Sequence, residues 1–235
     1  MKGRLTSGGV SSEADWYTSG RYAEVAISAR GGLVSKIVHS QIERGISTRD
    51  HFSKVLEVGA LSGQHLPYVR HSFDEWVLTD IIDLAPSEAK FDDARVTFEV
   101  QDVHSLSYGP HSFDRVAAMC VVHHLDHPMR ALVEMRRVCK PGGVLTILLP
   151  VDPGWASNLA RRMTSMRRAK KLGLLEEARR CRALGHRNHY DSLHWQFNEV
   201  FKHDQVRVYS WPVARGGKLL NMFTSWHIVR SDLDK

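Results

Sequence analysis

The stretch Lys54-Val55-Leu56-Glu57-Val58-Gly59-Ala60-Leu61-Ser62-Gly63 governs how the rest of the chain is read. Lys54 to Val58 is short, apolar and β-branched at Val55 and Val58, the composition of a buried strand. Gly59 permits a turn that a side chain would obstruct, and Gly63 lets a following helix sit close to the strand. Gln64 to His71 has room for that helix. Its first amides would point back over the strand's carboxyl edge, where a polar or anionic ligand group binds. In an open parallel sheet this edge is the ligand crevice. Glycine-rich turns also occur for purely structural reasons, so the reading depends on the flanking segments.

Downstream, Trp76-Val77-Leu78-Thr79-Asp80 reads as a second strand ending in a carboxylate, 21 residues after Gly59. An acid at that tip can accept hydrogen bonds from both hydroxyls of a ribose. A short polar helical segment is predicted near Pro86 to Phe91, then a third strand over Val96 to Val100, followed by Asp102. Ser112 to Cys120 leads into a fourth strand. His127 to Cys139 is an amphipathic helix, which the turn Lys140-Pro141-Gly142-Gly143 ends sharply. Val144 to Leu149 is a continuous apolar fifth strand, as a sheet covered on both faces requires. The alternation is β-α-β-α, which specifies a parallel sheet with helices on both faces.

Two helices are predicted between Asp15 and about Gly45, broken at Gly31-Gly32. They either cover a ligand or only pack on the sheet. Residues 154–191 interrupt the alternation as a long basic helical insertion. His194 to Lys202 is then a helix, and Gln205 to Val213 with Asn221 to Val229 form two closing strands around Arg215-Gly216-Gly217-Lys218. Residues 1–12 are Gly/Ser-rich and expected to be disordered. The expected organisation is one domain over 13–235, with a helical cap at 13–50 and a helical lid at 154–191.

The chain has 235 residues, 43% hydrophobic and 25% charged, a globular composition. No apolar run approaches the roughly 20 residues that span a bilayer. The first residues lack the apolar core of a signal peptide, so the cytoplasm is the expected location. Cys120, Cys139 and Cys181 are far apart and form neither a disulfide framework nor a zinc motif. Residues 161–182 hold nine basic and two acidic side chains, a balance of +7 against +6 for the whole chain. The positive charge therefore belongs to one segment, which argues against a nucleic-acid-binding domain.

In this order, the segments resemble those of class I S-adenosylmethionine-dependent methyltransferases. Glu57 to Gly63 is similar to that family's acid-x-Gly-x-Gly-x-Gly loop, Asp80 to its ribose acid, and Gln101-Asp102-Val103 to the segment that meets adenine. Ser112 to Val116, with Val121-Val122-His123-His124-Leu125 and the Lys140-Pro141-Gly142-Gly143 turn, resembles the family's signature between its fourth and fifth strands. The resemblance implies a Rossmann-like, doubly wound, mainly parallel seven-stranded sheet whose last strand is antiparallel. It also implies S-adenosyl-L-methionine as cofactor and methyl transfer as reaction. There is one departure. Leu61 stands where the family has its middle glycine, and its side chain would crowd the methionine part of the cofactor.

On this resemblance, the backbone of Gly59, Ala60 and Gly63 approaches the cofactor, and Glu57 orients its amino group or only organises the loop. Asp80 holds the ribose, Asp102 takes the adenine amino group and the Val103 amide meets a ring nitrogen. Cys120 lines the pocket through its backbone or is merely a small apolar residue. A hydroxyl acceptor needs a general base, and histidine is the usual one near neutral pH. The candidates are His123 and His124 after the fourth strand, where His124 is as readily structural, and His194 on the substrate side. Asp152 either binds substrate hydroxyls or caps the insertion. His123, His124, Asp126 and His127 lack the spacing of a metal site, so no metal is expected.

The cations of the insertion suit an anionic small-molecule acceptor or weak contact with an anionic membrane surface, or they form a solvated helix face. The leading expectation is methylation of a small molecule, at oxygen, with no nucleic-acid substrate. Two other readings remain open. One is a methyltransferase-like binding protein without turnover, motivated by Leu61. The other is an NAD-dependent oxidoreductase, since Gly59 to Gly63 followed by Asp80 also suits a dinucleotide site.

Overall fold

The structure, a computed structural model, describes residues 13–19, 21–25, 32–83, 93–214 and 217–232. Seven strands form one sheet: β1 (His51–Val58), β2 (Ser72–Asp80), β3 (Val96–Val100), β4 (Phe113–Met119), β5 (Cys139–Pro150), β6 (Gln205–Trp211) and β7 (Phe223–Val229). Their spatial order is β3-β2-β1-β4-β5-β7-β6. β1 to β5 run parallel, and β7 is antiparallel to both β5 and β6. The order reverses between β1 and β4, so their carboxyl ends define the switch point where such sheets bind ligands. This is the Rossmann-like, doubly wound, seven-stranded architecture expected from sequence.

Alternation along the strands explains the two cores. Leu56, Val58, Val116, Ala118, Leu145 and Ile147 point to one face. There they meet α4 (Pro128–Val138) and α8 (Tyr190–Val200) through Leu132, Met135, Leu193 and Phe197. Phe197 and the adjoining Phe201 are fully buried and contribute roughly 1.5–3 kcal/mol each relative to exposure. Val55, Trp76 and Leu78 point to the other face. On that face α3 (Gly32–Ile42) packs Val38 and Ile42 against Ala117 and Leu148.

The second face also carries a buried polar network. Arg115 on β4 has no exposed surface. It donates to Glu43 Oε1 at 2.6 Å, to Thr146 Oγ1 at 3.0 Å and to His71 Nε2. His65 Nε2 bonds the same Glu43 oxygen at 2.9 Å, with His39 Nδ1 3.3 Å behind it. Burial pushes the Glu43 carboxyl up, but the His65 bond and the Arg115 guanidinium outweigh it, holding the group at about 2 against an ordinary 4.5.

Several sequence expectations are corrected. Gln64 to His71 forms no α-helix. Residues 61–65 are turns, followed by one 3-10 turn at Leu66–Tyr68. Pro67 supplies no N–H, Val69 turns extended, and β2 begins at Ser72, four residues before the predicted start. Tyr68 and His65 are instead tied to Ser35 and Glu43. Lys140-Pro141-Gly142-Gly143 is extended chain at the start of β5, after a register shift between Phe113 and Arg115. Gly142 has φ +73°, and a Cβ on Gly143 would lie 2.8 Å from the Lys140 carbonyl, so the irregularity is built around these two glycines.

Among the described residues, the amino-terminal region holds three helices: α1 (Glu13–Thr18), α2 (Arg21–Val25) and α3. The first two pack not on the sheet but on the insertion. That insertion comprises α5 (Trp155–Met163), α6 (Ser165–Lys171) and α7 (Leu175–Gly185). Trp16 and Val25 bury against Ala169 and Ala178, and Arg21 pairs with Glu177 at 2.6 Å. The helix after the insertion begins at Tyr190 instead of His194. A short α9 (Gly217–Leu220) lies between β6 and β7. The expectations for 1–12, Pro86 to Phe91, Gly31 and Arg215-Gly216 lie outside the described residues.

Candidate functional site

Two adjoining regions gather the candidate residues. The first is the carboxyl edge of β1, β2 and β4. Gly59, Leu61, Gly63 and Cys120 all have left-handed backbone there, with φ of 64°, 50°, 74° and 55°. Leucine in this conformation costs on the order of 1–2 kcal/mol. The loop thus keeps a glycine-type path although one glycine is absent. The Ala60 amide donates to the Thr79 carbonyl at 2.9 Å, and the Leu61 amide to Asp80 Oδ2 at 3.1 Å. Asp80 Oδ1 accepts the Ile82 amide at 3.2 Å. Burial pushes the Asp80 carboxyl up, against those amides. Each oxygen keeps a second lone pair, which is what two ribose hydroxyls require.

The Gln101 amide bonds the Asp80 carbonyl at 2.9 Å, which brings the start of the Asp102 segment to the tip of β2. Asp102 Oδ1 takes the His104 amide at 2.9 Å and lies 2.7 Å from His104 Nδ1. Val103 is buried in the core below. Glu57 is also buried, on the face that carries the Arg115 network, and accepts the Trp76 indole N–H at 3.2 Å. It is a structural partner of Trp76 in this arrangement. Burial pushes the Cys120 thiol up to about 12, so it is neutral and no nucleophile.

A Cβ built on Gly59 would stand 2.4 Å from Val121 Cγ2. The cofactor-type loop is therefore in contact with the segment after β4, which carries the second region. His123 and His124 meet there with ring centroids 4.0 Å apart and planes tilted by 42°. His186, from the end of the insertion, meets them at 4.6 and 5.0 Å. His124 Nδ1 is 2.9 Å from the Gly185 carbonyl, and Asn188 grips the turn through the Leu125 carbonyl at 2.6 Å. Burial, then the neighbouring His124 and His186, hold His123 well below its ordinary range. Burial and His186 hold His124 at about 4. Both imidazoles are neutral at pH 7.

Asp152, just past β5, organises the same corner. Its carboxylate accepts from Arg161 at 3.0 Å, from Arg182 at 3.0 and 3.1 Å and from His186 Nδ1 at 2.8 Å. Burial opposes its charge, but His186, Arg161 and Arg182 together keep the carboxyl far below the usual range. Asp152, Arg179, Arg182, His186, Asn188 and Met166 line a cavity of about 330 Å³. One ring nitrogen each from His123, His124 and His186 lies within 4.8 Å of the others, a set that could hold a metal ion. The Arg161 charge is felt at His123, and Arg182 lies beside His186 on Asp152, so the local potential opposes a dication and favours an anion.

His194 is not brought to this corner. It packs on Trp226 and lines a second cavity of about 260 Å³ with Tyr190 and Lys218. Arg161, Arg182, His186, Asn188 and the Arg115 network were not singled out from sequence. The first four sit on the insertion among many similar residues, and only folding shows which of them turn toward Asp152.

A sheet with its switch point at a glycine-type loop, flanked by acids at successive strand tips, defines a nucleotide-cofactor domain. Residues 56–147 match the family Methyltransf_11, described as a methyltransferase domain. Over 97 residues the chain is 31% identical to the ubiquinone/menaquinone biosynthesis C-methyltransferase UbiE of Bdellovibrio bacteriovorus, covering 41% of this chain and 37% of that protein. The chain thus spans little more than a third of that curated relative. The solved structure of Haemonchus contortus phosphoethanolamine N-methyltransferase 2 with S-adenosyl-L-methionine superposes with a TM-score of 0.63, at 15% identity, over 95% of this chain and 61% of that one. The [4+2]-cyclase SpnF superposes with a TM-score of 0.62 at 15% identity, over 93% of each chain. These structures share the fold.

Proposed function

We propose that this chain transfers a methyl group from S-adenosylmethionine to a small anionic acceptor held between the turn after β4 and the basic insertion. The observation that carries this reading is the contact of Val121 with Gly59. It joins the cofactor-type loop to the His123-His124 turn and, through His186, to the cavity at Asp152. Asp80 would hold the ribose and Asp102 the adenine. The bound cofactor supplies the electrophilic methyl group.

The chain's own residues position the acceptor and exclude water. Arg179 and Arg182 at the cavity wall attract a carboxylate or phosphate. The capping helices α1 and α2 and the insertion close over it. Orientation of this kind contributes as much as roughly 7–11 kcal/mol in well-aligned systems. The oxygen acceptor expected from sequence and the carbon acceptor named for UbiE share one requirement, that a proton leaves. A neutral imidazole of the His123-His124 pair would take it. Leu61 follows the glycine-type path, which supports an intact cofactor loop over a binding protein without turnover.

The test is transfer of a labelled methyl group from S-adenosylmethionine to a panel of hydroxylated phosphates and carboxylates. His123→Gln is expected to lower turnover about 100-fold, with cofactor affinity changed by less than about threefold. Cofactor binding without transfer to any acceptor would favour the binding-protein reading.

A further inference from the structure

Residues 153–175 contain six basic side chains and no acidic one. Trp155, Leu159 and Met163 follow one another at four-residue spacing, so they share one face of α5, a stripe about 12 Å long. They are 64%, 43% and 67% exposed, which is unusual for a tryptophan and a methionine on a helix with a buried side of its own. Leu219 and Leu220 on α9, which packs against α5, are exposed as well. Arg162, Arg167, Lys170 and Lys171 are exposed along α5 and α6. Among the described residues nothing covers this face.

We infer that α5 and α6 form a docking surface for an anionic phospholipid bilayer, with Trp155, Leu159 and Met163 entering the interface and the four exposed cations meeting the headgroups. The composition is that of an interfacial amphipathic helix: Trp and Leu on one side, Arg and Lys beside them, no acid to repel the surface. An acidic protein would match the cations equally, but it does not account for a tryptophan–leucine–methionine stripe standing in solvent. Each cation near such a surface contributes about 1 kcal/mol, so four make binding steeply dependent on lipid charge and on salt. Met166 on α6 lines the cavity at Asp152, so docking would set that cavity beside the headgroups. No helix among the described residues is long and apolar enough to cross a membrane, so the contact is peripheral.

The test is flotation of the full chain with vesicles of phosphatidylcholine alone and with one-third phosphatidylglycerol, without cofactor, so that it is independent of methyl transfer. The chain is expected to float with the anionic vesicles only. Lys171→Ala should lower partitioning about fivefold, and Trp155→Ser with Met163→Ser more than tenfold. Inorganic phosphate at Debye-matched ionic strength should compete no better than chloride. Both apolar positions are exposed, and an unchanged melting temperature would show that the variants fold. No flotation would overturn the inference. So would flotation indifferent to Trp155→Ser and Met163→Ser, which would assign the cations to an acidic protein or another polyanion.

Discussion

Arg115→Met is expected to cost the fold about 3–5 kcal/mol, a loss on the order of 10 °C in melting temperature. The guanidinium is enclosed by the sheet, by Phe52 and Trp76, each with its ring centre 5.9 Å away, and by Glu43, Thr146 and His71. Methionine fills much of the volume but leaves the Glu43 carboxylate buried with only His65 as partner. Removing one member of a buried pair strands the other, which is why the single change is costly. The double variant Arg115→Met with Glu43→Met should recover more than half the loss, since neither charge is then buried. Urea denaturation of the four proteins of this cycle gives the coupling directly. A loss below about 1 kcal/mol for the single variant would contradict the network as described.

The same pair sets an acid limit. The Glu43 carboxyl is depressed in the folded protein, to about 2, so its contribution is fully present above 4.5 and is lost as pH falls from there toward 2. Wild type should therefore lose stability on acidification through that window, and the double variant should lose less.

Gly59→Ala is expected to be nearly as damaging, at about 2–4 kcal/mol. Two separate costs combine. The backbone is left-handed at φ +64°, which an L side chain enters at a cost of about 1–2 kcal/mol. The added carbon would also lie 2.4 Å from Val121 Cγ2 and 2.7 Å from its Cβ. Packing beyond the available volume costs about 1–3 kcal/mol. Val121→Ala in the same chain removes the Cγ2 contact but keeps the Cβ at 2.7 Å, so it should relieve only part of the second cost and none of the first, leaving more than half the loss. Affinity for S-adenosylmethionine should fall at least tenfold in both, because the loop that meets the cofactor must move. Denaturation and equilibrium dialysis would separate the two effects, and full recovery by Val121→Ala would refute the backbone component.

The central strands were legible because they are buried on both faces and so read as near-continuous apolar runs: β5 was found from Val144 to Leu149 although it begins at Cys139. The edge strand Val96–Val100 was placed to the residue from its β-branched and aromatic alternation. The failures have local causes. Gln64 to His71 has length for a helix, but Pro67 and the tertiary bonds of His65 and Tyr68 pull it into turns. Pro141-Gly142-Gly143 carries a turn composition, yet the bulge opposite Phe113 needs the same residues in an extended strand. Asp80, Asp102 and the glycines fall at successive strand tips as read from sequence, because their order along the chain mirrors the order of those tips. Glu57 lies on the Trp76 side of β1 and accepts the indole N–H there, a contact that strand parity decides and the motif alone does not show. His186 and Arg182 could not be found, because their meeting with Asp152 depends on how three short helices fold back on the sheet.

The most direct test of the central claim is calorimetric titration of the full chain with S-adenosylmethionine, in parallel with a nicotinamide dinucleotide, on wild type and Asp80→Ala. The expected result is saturable binding of S-adenosylmethionine at one site, weakened at least tenfold by Asp80→Ala, and no binding of the dinucleotide. Binding of the dinucleotide instead, or binding of S-adenosylmethionine indifferent to Asp80, would contradict the site at the tips of β1 and β2.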